Sequence, residues 1–378
     1  MFYTNARIYA SDCKFHHGAF EVTEDGRFGR ILPDRIPEED SYDLEGATVI
    51  PGLVEIHSHG NSGYDFCDGD YEGLKEMARY YLSCGVTSFA PASMTLPYEV
   101  LENAFSTARK LVEEAPAGCA RLRGIQMEGP YFSYKKRGAQ NPDYLKEPDY
   151  EGFKKLYDSC GGLIRIVDIA PELPGAAEFI RKACRLCTVS VAHTDSDYEH
   201  AKTAFASGAS HLTHLYNAMP GINHRNPGVI PAAVECPHVR AELICDGLHI
   251  HPAAIRLAFS MFGGERMILV SDSGRCAGQP DGTEFDLGGQ TAKVIDGVAR
   301  LADGTIACSA TNLWQCLVNT ISYGVTEEAA IRACTINPAS ALGVQGEVGS
   351  IAPGKIADFI VCSPDYAKKR VYLAGKLV

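Results

Sequence analysis

Between residues 53 and 272 the chain repeats one pattern: a short apolar run, then a longer stretch with helical spacing. Eight runs can be counted. They are LVEIH (53–57), VTSFAPAS (86–93), RLRGIQME (121–128), LIRIVDIAPE (163–172), TVSVAH (188–193), SHLTHL (210–215), AELICDG (241–247) and RMILVSD (266–272). Stretches such as YEGLKEMARYYLSCG and AAEFIRKACRLC lie between them. Strands alternating with helices build a parallel sheet. Eight such units over about 220 residues suit an α/β fold of the (β/α)8 TIM-barrel kind. An open doubly wound sheet is the competing arrangement, but no run leads into a glycine-rich dinucleotide fingerprint.

The chain ends read differently. NARIYA, GAFEVTED, GRFGRILP and ATVIPG at the start, and IADFIVCS and KRVYLAGKLV at the end, are short strands punctuated by Gly, Pro and Asp. They are expected to pair into a small β-sandwich-like domain from residues 1–50 and 345–378, leaving 51–344 as the barrel. The segment after the eighth run reads as a loop and a β-hairpin, followed by helices near 309–322 and 326–336.

Lys and Arg total 35 against 47 Asp and Glu, a formal net charge of −12. Without a basic footprint the chain is a poor partner for nucleic acid or anionic membrane. A locally basic pocket for a small anionic substrate stays open. No basic-then-apolar leader is evident at the start, and no run is long enough to span a bilayer. The fourteen cysteines have no repeating spacing, which fits free thiols in a cytoplasmic, reducing compartment. Cys184 and Cys187 fall on a helical pattern, and no second pair completes a zinc site.

Catalytic groups in such a barrel project from the C-terminal strand ends. Those ends carry His57 and His59, Glu128, His193, His214, Asp246 with His249, and Asp272. Side chains two apart on a strand face one way, so His57 and His59 point together into the barrel mouth. Imidazole and carboxylate suit zinc and similar divalent ions. His16, His17, His200, His211, His224, His238 and His251 read as ordinary loop or structural histidines. His211, three before His214, is expected on the opposite strand face.

The stretches PGLVEIHSHG, MEGPYFSYKKRGAQNP, VAHTDSDYEHA, THLYNAMPGINHRNPG, CDGLHIHP, LVSDS and IAPGKIADFIV run in order along nearly the whole chain. Together they resemble the amidohydrolase superfamily and, within it, the N-acetylglucosamine-6-phosphate deacetylase family. The resemblance implies hydrolysis of the N-acetyl group of a phosphorylated amino sugar. It implies Glu128, His193 and His214 as ligands of the main metal, with His57 and His59 completing a second site present in some members. One or two divalent ions per subunit follow, zinc foremost, with iron, manganese or cobalt as options. The resemblance casts Asp272 as the catalytic aspartate and His249 as the histidine that contacts substrate and supports the carbonyl oxygen. Ala139, Gln140, Asn217 and Ala218 become substrate contacts, and Arg225 a phosphate-binding arginine. It also implies a homodimer. Lys135, Lys136 and Arg137 read as a solvated loop face.

Two departures stand out. Gly138, Ala139 and Gln140 replace the family's frequent Gly-Ala-His, and the eighth strand continues as SDSGRCAG. A related amidohydrolase acting on another N-acyl amino sugar or N-acyl amino acid is therefore an alternative. A non-catalytic scaffold is a third reading. Against it stands the cost of burying so many unpaired ionisable groups to no purpose.

Overall fold

The computed structural model describes residues 1–35, 41–287 and 289–378. Eight parallel strands carry the apolar runs: β1 (Leu53–Glu55), β2 (Val86–Phe89), β3 (Ile125–Met127), β4 (Ile164–Ile169), β5 (Thr188–Val191), β6 (His211–Leu212), β7 (Arg240–Ile244) and β8 (Met267–Val270). Strands β3 to β8 form one sheet in sequential order. β1 and β2 belong to a second sheet with Arg121–Leu122. A parallel bridge between Ala92 and Gln126 joins the two sheets. At the other junction Asp272 N–H donates to the His57 carbonyl at 2.9 Å. The Glu55 carboxylate accepts N–H bonds from Ser271 and His57, each at 3.1 Å, beside that junction. The arrangement is an α/β, TIM-like barrel in which a side chain supplies part of the main-chain pairing.

A helix follows each of the first seven strands. In Tyr71–Ser83 the buried set Leu74, Met77, Ala78, Tyr81 and Leu82 repeats at helical spacing, and Asp70 caps the start by accepting from Glu72 N–H. Tyr98–Glu114 buries Leu101, Ala104, Phe105, Ala108 and Leu111 in the same way. Phe105 is wholly buried, and a side chain of that size contributes about 1.5–3 kcal/mol on burial. These faces and the outer sides of the strands make the main core. Among the described residues no helix is long and apolar enough to cross a membrane.

The two chain ends form one sheet. Its order is Lys376–Leu377, Lys369–Leu373, Phe359–Cys362, Thr48–Pro51, Phe2–Tyr9, Phe15–Val22 and Phe28–Pro33, with Ser41–Asp43 parallel to Phe2–Tyr9. Phe359 stacks on Tyr372 with ring centroids 4.4 Å apart, and Tyr3 on Phe20 at 5.2 Å.

One expectation fails. The segment after β8 is a four-stranded antiparallel sheet, Glu284–Leu287, Gln290–Ile295, Val298–Leu301 and Ile306–Ser309. Its middle turn, Asp296-Gly297, has φ of 52° and 76°, the two positive values that a tight two-residue hairpin demands. The four strands are only four to six residues long, too short for a strong alternation signal in sequence. Three helices, Leu313–Ser322, Glu327–Cys334 and Ile336–Ala341, complete the chain before the terminal strands.

Candidate active site

Three of the strand-end residues leave their strands with left-handed backbone. His193, His214 and Asp272 have φ of 43°, 29° and 47°. Such non-glycine conformations cost of order 1–3 kcal/mol each and persist only where surroundings fix them. Here the neighbouring peptides do so. Thr194 N–H donates to Ala218 O at 3.1 Å, Leu215 N–H to Glu242 O at 2.9 Å, and Ser309 N–H to Asp272 O at 2.8 Å.

Three histidines spend one ring nitrogen on the protein and turn the other inward. His57 Nδ1 lies 2.7 Å from Glu242 Oε2, His59 Nδ1 3.2 Å from Ala92 O, and His193 Nδ1 2.9 Å from Lys136 O. Each acceptor assigns the ring proton to Nδ1, leaving a lone pair on Nε2. Those lone pairs meet carboxylate oxygens. Glu128 Oε1 is 3.5 Å from His57 Nε2, 3.2 Å from His193 Nε2 and 3.3 Å from His214 Nε2. Its Oε2 is 3.4 Å from His59 Nε2. Asp272 Oδ1 lies 3.3 Å from His59 Nε2 and 3.7 Å from His57 Nε2. Two clusters result, His57–His59–Glu128 and Glu128–His193–His214, sharing one carboxylate.

This donor set fits a divalent cation. Electron-rich atoms converge in a buried space, and among the described residues His57 Nε2 has no hydrogen-bond partner. The cluster demands positive charge. Burial works against a charged His57, yet Glu242, Asp272 and Glu128 hold its pKa well above the ordinary histidine range. Burial likewise favours a neutral Glu128, but the neighbouring imidazoles of His193, His214 and His57 hold that carboxyl well below the usual range. Asp272 follows the same logic: burial opposes ionisation, and His57 and His59 outweigh it, so its pKa is lowered. Glu55, more remote from the inward-facing nitrogens, is pushed up to about 7 by burial.

A cavity of about 200 Å³ opens onto the cluster. It is lined by His59, Glu128, His193, His214 and Asp272, by Ala139, Gln140, Asn217, Ala218 and His249, and by Thr305 to Ala307 of the four-stranded sheet. His249 Nδ1 sits 2.6 Å from Asp246 Oδ2, whose other oxygen accepts the Leu248 and His249 N–H groups. Burial disfavours a charged His249, but Asp246 prevails and raises its pKa. A wider surface cleft of about 450 Å³, lined by residues including Glu172, Arg181 and His200, has no comparable convergence of ligating atoms.

Not every expected residue behaves as expected. Gln140 lines the cavity, but its Oε1 accepts Thr95 N–H at 2.7 Å and its Nε2 donates to Glu128 Oε2 at 2.7 Å. Both ends of its amide are thus engaged inside the protein. Asn217 Nδ2 donates to His214 O and Leu215 O. Arg225 is exposed on the loop after the sixth strand and does not line the cavity of its own chain. Lys135 pairs with Asp195 at 2.9 Å, in keeping with a solvated face.

His211 corrects the alternation argument. It is buried with its Nε2 3.0 Å from Glu242 Oε1, on the same side as the site. β6 stops at Leu212, and the turn at His214 breaks the period of two that the argument assumed. Sequence reasoning also passed over Glu242, Glu55 and Asp168, all buried. The available signal was a lone carboxylate inside an apolar strand, as in AELIC.

Residues 48–378 match the Amidohydrolase family. A Vibrio furnissii relative named N-acetylglucosamine-6-phosphate deacetylase is 34% identical over 360 residues, covering 94% of this chain and 90% of its own. A Bacillus subtilis relative of the same name is 36% identical over 348 residues, 90% and 88% of the two chains. An Escherichia coli O157:H7 relative named N-acetylgalactosamine-6-phosphate deacetylase is 31% identical, covering 92% and 90%. Among solved structures, a mutant N-acetyl-D-glucosamine-6-phosphate deacetylase from Mycobacterium smegmatis, in complex with N-acetyl-D-glucosamine-6-phosphate, superposes with a TM-score of 0.92. It is 30% identical, covering 100% of this chain and 98% of its own. This chain belongs to the amidohydrolase family.

Proposed function

We propose that this enzyme hydrolyses the N-acetyl amide of N-acetylglucosamine 6-phosphate to glucosamine 6-phosphate and acetate. The observation that carries the chemistry is the Asp272 carboxylate beside the His59 ring of the cluster, facing the cavity. The substrate follows from the relatives' names.

Glu128, His193 and His214 would hold one divalent ion, and His57 and His59 with Glu128 a second. Zinc suits these ligands best, with iron, manganese or cobalt as substitutes. When bound, such an ion polarises an amide carbonyl and lets water ionise near neutral pH. Asp272 takes the proton of the attacking water as general base. His249, held by Asp246, donates to the developing oxyanion from Nε2. Asp272 then returns its proton to the leaving amine, and acetate departs. Ala139, Asn217 and Ala218 line the cavity as substrate contacts. Gln140 borders the cavity while its amide holds Glu128.

Arg225 is suited to a phosphate by its planar fork of donors. Its exposure away from its own cavity supports a homodimer in which it serves the neighbouring subunit. The two parallel sheets read as one closed (β/α)8 barrel spanning 51–344, with 1–50 and 345–378 as the small domain. All fourteen cysteines are free, which supports a cytoplasmic location.

The test is acetate release from N-acetylglucosamine 6-phosphate, its galacto epimer and the unphosphorylated sugar, on metal-quantified enzyme and Asp272→Asn. Preferential turnover of the phosphorylated gluco sugar, lost in the variant, supports the proposal. No turnover with metal bound sinks the substrate assignment.

A further inference from the structure

Glu242 is fully buried on β7, and the proposed hydrolysis gives it no role. Three N–H groups from separate parts of the chain converge on it. His57 Nδ1 is 2.7 Å from Oε2, His214 N is 3.2 Å from the same oxygen, and His211 Nε2 is 3.0 Å from Oε1. Gln126 Nε2 also lies 3.3 Å from His57 Nδ1, but it makes a shorter bond, 3.1 Å, to Asp168. With three donors around it, Glu242 is an acceptor, and the proton between it and His57 resides on the imidazole.

We infer that Glu242 is a positioning residue that fixes His57 with its proton on Nδ1 and its Nε2 lone pair aimed at the His57–His59–Glu128 cluster. A carboxylate behind a ligating histidine also makes the ring a stronger donor, and loss of such a partner typically weakens metal binding about 10–100-fold. The three other histidines do not share this support. His59 and His193 donate to main-chain carbonyls, and His214 Nδ1 has no partner. Among the ligating rings Glu242 therefore touches that of His57 alone, and from His214 it takes only the main-chain N–H. His211 braces the far oxygen of Glu242 and stops the carboxylate from rotating away. The inference rests on reading His57 as a metal ligand, and no step of it depends on the substrate.

The experiment titrates chelator-stripped wild type and Glu242→Gln with Zn²⁺ against a chromophoric competitor, counting bound ions. Glutamine keeps the size and one acceptor but removes the charge. The expected result is a first equivalent held within about threefold of wild type and a second weakened about 10–100-fold. Unchanged affinity for both, or equal loss of both, overturns the inference, the latter marking a merely structural role. Should the variant not fold, ring-proton NMR of zinc-loaded wild type decides. A slowly exchanging Nδ1–H on His57 upholds the inference, and a proton on Nε2 overturns it. Wild type that takes up only one equivalent overturns the two-cation reading, and the same ring-proton measurement then judges Glu242 separately.

Discussion

His193 and His214 bring their Nε2 atoms to 3.0 Å of each other, with Glu128 Oε1 3.2 and 3.3 Å away. His193 donates its Nδ1–H to Lys136 O, so its Nε2 lone pair is crowded against the His214 Nε2 and a carboxylate in one small space. A cation resolves that conflict. Stripping divalent ions should stop hydrolysis and lower the thermal midpoint, and adding them back should restore both. Saturation at 100 times Kd stabilises by about 2.7 kcal/mol. A midpoint indifferent to the ion in a thermal scan would contradict the assignment.

Asp272→Asn keeps the shape of the side chain and removes its base. Loss of a general acid–base lowers kcat by about 10²–10⁴-fold. Bound metal, counted by elemental analysis, should stay at the wild-type level, because Glu128 and the histidines remain. A variant that retains wild-type turnover excludes the aspartate as base.

The Asp246–His249 pair predicts a pH window. The His249 pKa is raised, so its contribution to stability is full below the unfolded value of about 6.5 and fades as pH rises through the folded value. The Asp246 pKa is lowered, although burial alone would raise it, so its contribution is full above about 3.9 and fades as pH falls. Asp246→Asn should move the His249 titration down, since burial is then opposed by Asp272 alone, and shift the alkaline limb of kcat with it. Histidine NMR against pH reads this directly. An unmoved His249 titration would remove Asp246 as the cause.

Gln140→Ala separates two roles. With its amide spent on Thr95 and Glu128, the variant should weaken metal binding and leave KM for the sugar phosphate within about twofold. The orphaned Thr95 N–H adds a stability loss of about 1–3 kcal/mol. A raised KM with intact metal affinity would show instead that Gln140 contacts substrate.

Phe132 stacks on the His193 ring with centroids 4.4 Å apart and is almost fully buried. Phe132→Ala should cost about 3–5 kcal/mol in urea unfolding. It should also weaken metal binding, since the ring it steadies is freed. Stability lost without any change in metal affinity would make Phe132 core filler alone.

Much of this was legible in the chain. Eight apolar runs set the strand order, and Glu128, His193, His214 and Asp272 stand in sequence at or near the ends of those runs. His57 and His59 both bring Nε2 near Glu128, as the sequence suggested, although β1 ends at Glu55, before either of them. What resisted reading was whatever depended on where a strand stops. His211 lies on the inner side because β6 is only two residues long.

The sequence by itself determined the alternation of strand and helix, the rim on which the ionisable residues stand, and the residue types able to hold a cation. These are local properties: periodicity, spacing and ligand chemistry travel with the chain. Only the tertiary structure decided that Glu128 is shared, that Gln140 turns its amide on Glu128, and that Glu242 reaches His57. Each of these joins residues from different strands or loops. Which side chains converge on the cluster and which turn back on the protein was decided by which donor found which acceptor once water was excluded.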